Sequence, residues 1–227
     1  MTDLLYLLLI VPLFFAGLIV IASWLSVRGL GSPDGRIATL DQGEVNGIAG
    51  LAAAHARFAD AHGLEWSGAF RSEFPNNPRI VCCTWRSRGT GPILVAYVVN
   101  AQVYSDLVST YANSCTLTTG SAPGGALFPT RRGKVRQILP GRSLTELWLA
   151  HAEADQHLRS ELRLLPRRDD RPIDELLLES VHGVAAHVRS YPLWPLLCVW
   201  WYLTQRLRTG TPVVKQGLKA EDVVPTR

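Results

Sequence analysis

The first apolar run of this chain carries no charge, and nothing basic stands ahead of it. Leu4 to Val27 reads LLYLLLIVPLFFAGLIVIASWLSV, preceded only by Met1, Thr2 and Asp3. A cleaved leader needs a basic n-region, a shorter apolar core and a well-placed small-x-small site, and these are lacking. The segment 1–28 is therefore expected to remain as a membrane anchor. About 20 apolar residues rising 1.5 Å each cross a bilayer core.

Cysteine is scarce. Of the four, Cys82 and Cys83 are adjacent, while Cys115 and Cys198 stand alone. That spacing excludes a disulfide framework and a C-x-x-C redox or metal pair. Neighbours in a strand point to opposite faces, so Cys82 and Cys83 are expected to be separate small buried hydrophobes. Free thiols of this kind suit a reducing compartment.

Catalytic signatures are missing as well. There is no H-E-x-x-H and no G-x-S-x-G elbow. The run Gly120-Ser121-Ala122-Pro123-Gly124-Gly125 lacks the lysine and following helix of a phosphate loop. Ser109 and Thr110 have no His or Asp partner that sequence alone assigns. No repeat or low-complexity tract occurs. The basic groups have no interleaved aromatics, so nucleic acid is not an expected partner.

What is present fits one folded domain beside a membrane segment: 47% hydrophobic and 19% charged residues. A net charge of +4 favours anionic neighbours, lipid headgroups among them. No Lys or Arg precedes the anchor, and Arg28 and Arg36 follow it. By the positive-inside rule the soluble domain then lies in the cytoplasm.

After the anchor, Gly29 to Gly35 is rich in helix breakers. Asp41 and Glu44 form a capping pattern for a helix that carries Val45, Ile48, Ala52, His55, Phe58 and Ala59 and closes at Gly63. Ile80–Trp85 and Ile93–Val99 read as a β-hairpin across a glycine-rich turn. Val103–Ala112 and Cys115–Thr119 read as a second pair turned at Asn113-Ser114. In ILVAYVV both alternating sets are apolar, so that strand is expected to be covered on both faces. Short turns favour an antiparallel meander. Gly120 to Pro140 reads as a loop with a short strand near Val135–Ile138. Ser143 and Glu146 form a capping box for a helix to about Leu165, and a last helix starts near Ile173.

The second unusual stretch is Ser190 to Gln205, SYPLWPLLCVWWYLTQ. It is uncharged, interrupted by Pro192 and Pro195, and short for a span. Trp194, Trp200 and Trp201, with Arg206 and Arg208 behind them, are lipid-contact candidates, because Trp and Arg favour the headgroup level. Arg131, Arg132, Lys134 and Arg136 are a further set that can touch anionic lipid.

The densest polar cluster is His151, Glu153, Asp155 and His157. The pairs His151/Asp155 and Glu153/His157 are each four apart, the spacing at which helical side chains share a face and can ligate metal or exchange protons. The pairs point in different directions and no third ligand is evident. No cofactor or metal is therefore expected, and His151 is expected to pack in the apolar stripe.

These signals predict an α+β protein: an N-terminal transmembrane helix, then an antiparallel β-meander packed with about three helices in one layer. The divisions are an anchor at 1–28, a soluble domain at 29–189, an aromatic-rich interfacial segment or short second span at 190–208, and a disordered tail at 209–227. The expected role is a single-pass, membrane-anchored, non-catalytic module that binds a partner or ligand at the bilayer surface, with the bilayer itself and a membrane protein as its partners. A two-span subunit of a larger complex is one alternative. An enzyme using the His151–His157 helix is the other.

Overall fold

The fold is that of a computed structural model, which describes residues 2–219 and 223 and the side chains of all of these except residues 2–9 and Gln42. The chain begins with helix α1 (Thr2–Leu30), strand β1 (Arg36–Thr39) and helices α2 (Gln42–Gly47) and α3 (Ala49–Ala61). Strands β2 (Leu64–Glu73), β3 (Val81–Ser87), β4 (Ile93–Val99), β5 (Gln102–Thr110), β6 (Thr116–Gly120) and β7 (Lys134–Ile138) follow. Helices α4 (Leu144–Ser160), α5 (Ile173–Arg189) and α6 (Trp194–Thr204) complete the order. The architecture is α+β, with an apolar N-terminal helix, a seven-stranded sheet and five further helices.

The strands lie in sheet order as they come in sequence. Every neighbouring pair is antiparallel except β6 and β7, which run parallel. Residues 121–133 make that parallel return, a length that suits a crossover connection. Both expected strand pairs are present, and the short strand near Val135 is β7. Two strands were not legible. β1 is short and ends the row. In β2 the pairing slips between Trp66 and Gly68, where Gly68 has φ +125°, so a bulge breaks the period-two pattern.

Helices cover both faces, which corrects the expected single layer. α3 lies on β2 to β4 and α4 on β5 and β6, around Ala59, Cys83, Leu94, Ala96, Leu107 and Leu147. On the opposite face α5 lies on β1 and β2, and Ile173, Leu176 and Leu177 meet Phe70, Cys82, Val95 and Tyr97. β4, fourth of seven strands, is thus apolar on both sides, as its sequence requires. Cys82 and Cys83 enter opposite cores, and all four cysteines are free and buried.

Both expected capping boxes form, at Asp41/Glu44 and Ser143/Glu146. The first helix is broken, however: Ile48 has φ −113° and ψ 15°, which ends α2 and starts α3. α4 stops at Ser160 rather than near Leu165, because the chain turns back to pair Tyr111 with Pro166. The tail is also corrected as far as it is described. Gly210 N–H donates to the Ile138 carbonyl, Gln216 Nε2 donates to the Arg136 carbonyl, and Val213 is buried against Leu117, Val135 and Leu158. These bonds cap the otherwise open edge of β7. Residues 220–222 and 224–227 of the expected disordered tail lie outside the described residues.

α1 joins this domain through its last turns. Val27 is fully buried with Ala185 and Val188 of α5 and Cys198 and Trp201 of α6. Further up, Ile10, Leu13, Phe14, Phe15, Leu18 and Ile21 are exposed. The stretch Ile10–Leu30, with mean hydropathy 2.3, is long and apolar enough to cross a membrane.

Candidate functional site

The helix with the densest polar cluster does not assemble a site from it. His151 turns into the core, where it is 3% exposed. Its Nε2 lies 2.8 Å from Ser109 Oγ, and its Nδ1 lies 2.8 Å from Thr119 Oγ1. Asp155 instead accepts from the Tyr111 hydroxyl at 2.6 Å and pairs with Arg159. Glu153 is exposed and His157 half-buried on other parts of the helix.

The partner of Ser109 that sequence could not assign is therefore His151, but the pair is not arranged as a nucleophile and base. Gln137 Nε2 donates to Thr119 Oγ1 at 2.7 Å and to the Ala150 carbonyl at 3.0 Å, and its Oε1 accepts from Val213 N–H at 2.9 Å. Thr119 Oγ1, with two lone pairs and one O–H, accepts from Gln137 and can meet Nδ1 in either ring tautomer. Among the described residues no carboxylate hydrogen-bonds to Nδ1, and Ser109, Thr119 and Gln137 are all buried. Burial lowers the His151 pKa to about 4. The group is a satisfied polar network inside the core. A second pair repeats it one turn of sheet away: His55 Nε2 lies 2.9 Å from Ser105 Oγ, and its Nδ1 lies 3.0 Å from the Leu51 carbonyl.

The other face of the sheet carries charge. The Tyr97 hydroxyl lies 3.2 Å from each oxygen of Asp106. Burial pushes this carboxyl up to about 7, against the Tyr97 hydrogen bond and the charge of Arg136. Arg136 is lowered to about 10 by burial and by the charge of Arg208. β5 alternates Ser105, Leu107 and Ser109 with Asp106, and that alternation was the available signal for two different faces.

The basic set Arg131, Arg132, Lys134 and Arg136 does come together. It lines a cavity of about 660 Å³ at the edge of β7, with Thr130 and an apolar floor of Val135 and Leu218. Arg131 lies against Gly183 of α5, Lys134 Nζ donates to the Ser114 carbonyl at 3.3 Å, and Arg136 holds the Phe128 carbonyl and the Thr130 hydroxyl.

The aromatic segment is sorted by the packing of α6. Trp201 is buried, edge-on to Phe128 and Tyr191. Trp194 and Leu197 line the same inner side. Arg208 is turned inward too, with its guanidinium on the carbonyls of Ala126, Leu127 and Trp201. Trp201 and Arg208 are thus removed from the lipid-contact candidates, because their side chains are held by the loop before β7. Trp200 and Arg206 remain outside. Leu193, Leu196, Trp200, Leu203 and Leu207 form one exposed row with spacing of three and four, and each is at least 59% exposed. Such a row is unusual on a water-facing helix.

No known protein family, no curated protein and no solved structure matches this chain.

Proposed function

We propose that this protein is a membrane-anchored, non-catalytic α+β module that binds a partner or ligand at the bilayer surface. α1 is the single span, α6 lies in the interface beside it, and the sheet domain faces the cytoplasm. The observation that carries this reading is the outward row of α6 next to the exposed apolar surface of α1. Its inner side, Cys198 and Trp201, packs on Val27 at the base of α1. An apolar row in that place has lipid as its natural solvent.

Length favours interface over span. α6 has 11 residues, about 16 Å at 1.5 Å each, against a hydrocarbon core of about 30 Å. Arg28 after the span and the free buried cysteines support the cytoplasmic orientation. On α4, Asp155 meets Tyr111 and Arg159 rather than His151, which favours the binding reading over an enzyme there.

The test is topology in native membranes. Single cysteines placed after Val27 and after Arg208 should label from the same, cytoplasmic side, and the protein should resist alkaline carbonate extraction. Labelling from opposite sides refutes the single-span arrangement, and release by carbonate refutes the anchor.

A further inference from the structure

We propose that the cavity at the β7 edge is a binding site for a phosphate-bearing anion, held by Arg131, Lys134 and Arg136. The first support is convergence: Arg131, Lys134 and Arg136 line one cavity. Among the described residues, Arg131, Lys134 and Arg136 have no carboxylate within ion-pair distance. The hydrogen-bond acceptors of Lys134 and Arg136 are neutral: the Ser114 carbonyl for Lys134, and the Phe128 carbonyl and Thr130 hydroxyl for Arg136.

The second support is desolvation. Lys134 and Arg136 are half-buried at alternate positions of one strand, on the same side of it. Burial lowers both, and a nearby cation adds to the effect in each case: Arg131 for Lys134 and Arg208 for Arg136. Glu179 and Asp106 oppose this from a distance. Like charges held together in a partly dry site repel, and an anion bound among them relieves that repulsion.

Phosphate suits the geometry better than a lone carboxylate. Its several oxygens can be shared by a guanidinium fork and an ammonium at once, and its second charge matches more than one cation. The Thr130 hydroxyl accepts from Arg136 and keeps its own O–H to donate. A cavity of about 660 Å³ is in the size range of ligand sites, about 300–1,000 Å³, and leaves room for the group that carries the phosphate. Arg136 is tied to Phe128, which packs on Trp201 of α6, so the cavity opens near the proposed interfacial helix. A phospholipid headgroup and a soluble phosphate ester share the required chemistry. The site does not depend on the membrane reading and is testable in detergent.

The experiment uses the full chain in two forms. In neutral detergent micelles it is titrated with inorganic pyrophosphate and with glycerol 3-phosphate. In phosphatidylcholine nanodiscs it is compared with and without phosphatidic acid. Melting temperature and titration calorimetry are read in both. The expected result is saturable stabilisation in at least one form. Arg131→Gln and Lys134→Gln should each weaken it about tenfold, as expected for loss of one charge-assisted contact. Lys134→Arg should retain binding, and Arg142→Gln, just before α4 and outside the cavity lining, should leave it unchanged. Binding confined to phosphatidic acid discs identifies a lipid headgroup as the ligand, and binding in micelles identifies a soluble ester. Absence of saturable binding in both forms overturns the site. So does equal weakening by Arg142→Gln and Lys134→Gln, which would show only a general response to net charge.

Discussion

Ser26 and Asn77 hold each other by two hydrogen bonds: Ser26 Oγ donates to Asn77 Oδ1 at 2.6 Å, and Asn77 Nδ2 donates to the Ser26 carbonyl at 2.9 Å. Asn77 sits in the turn between β2 and β3, so the end of α1 is clamped onto the sheet domain. Three residues on, a Cβ added at Gly29 would come 1.6 Å from the Pro75 carbonyl oxygen. The helix and the domain therefore meet without a flexible tether. Asn77→Ala should loosen this joint by about 1–2 kcal/mol, the usual cost of stranded buried partners. Gly29→Ala should loosen it more, since backbone has to move. Hydrogen exchange in residues 74–79 should rise in both variants; unchanged exchange would count against the clamp.

The turn between β4 and β5 offers a stabilising change. Val99 pairs with Gln102, and the two residues between them, Asn100 and Ala101, have φ of +51° and +61°. Asparagine tolerates that region, whereas alanine's Cβ is crowded there. Ala101→Gly should raise stability by about 0.5–1 kcal/mol, the strain removed less the added freedom of the unfolded chain. A melting temperature equal to or below the parent's would contradict this.

Ser109→Ala probes the buried network. It removes the partner of His151 Nε2 and leaves a polar nitrogen unmatched in the core. The expected cost is about 1–3 kcal/mol in denaturant unfolding. Simultaneous His151→Leu and Ser109→Ala should cost less than the sum of the single changes, because the stranded group is then gone. Strict additivity would show that the two side chains do not depend on each other.

The two faces of β5 predict opposite pH responses. Asp106 in the folded protein titrates at about 7, above its free value of 3.8. The native state then holds more protons than the unfolded chain between those values, and stability falls as pH rises through that window. His151, lowered from 6.5 to about 4, acts the other way: stability falls as pH drops between them. Lowered His55, His151 and His187 oppose this effect near pH 6.5 and fade above it, so the comparison with an Asp106 variant isolates it. Asp106→Asn should lose the fall in stability that Asp106 contributes and exceed the parent by about 1–2 kcal/mol at pH 8, discounted for partial exposure. It should give no advantage near pH 4. A stability difference between variant and parent that does not grow from pH 5 to 8 would refute this.

Depth measurements address α6. With nitroxide labels on single cysteines in vesicles, positions 196 and 203 should be shielded from a water-soluble relaxer, while position 206 stays accessible. Leu196→Glu with Leu203→Glu should abolish the shielding without releasing α1 from the membrane. Equal accessibility at all three positions would mean that the row faces water.

Much of this molecule was readable from residues in order. The apolar run of α1, both capping boxes, the β3–β4 hairpin and the opposite facing of Cys82 and Cys83 follow from local rules of period, cap and turn. These depend on neighbours a few positions apart, and such neighbours are adjacent in any fold. β2 escaped because the bulge at Gly68 shifts its alternation, and the break at Ile48 escaped because an apolar stripe continues through it.

By itself, then, the sequence determined an apolar helix long enough to cross a membrane, an α+β composition and a supply of basic and aromatic side chains near the end of the chain. Only the tertiary structure decided how those side chains are used. It put His151 into the core beside Ser109, turned Trp201 and Arg208 inward while leaving Trp200 outside, and drew Arg131, Lys134 and Arg136 around one cavity. The physical reason is range. Which way a side chain turns on a helix or strand is local, but what waits there is set by elements 30 to 80 residues away in the chain, and that pairing is written in no single stretch.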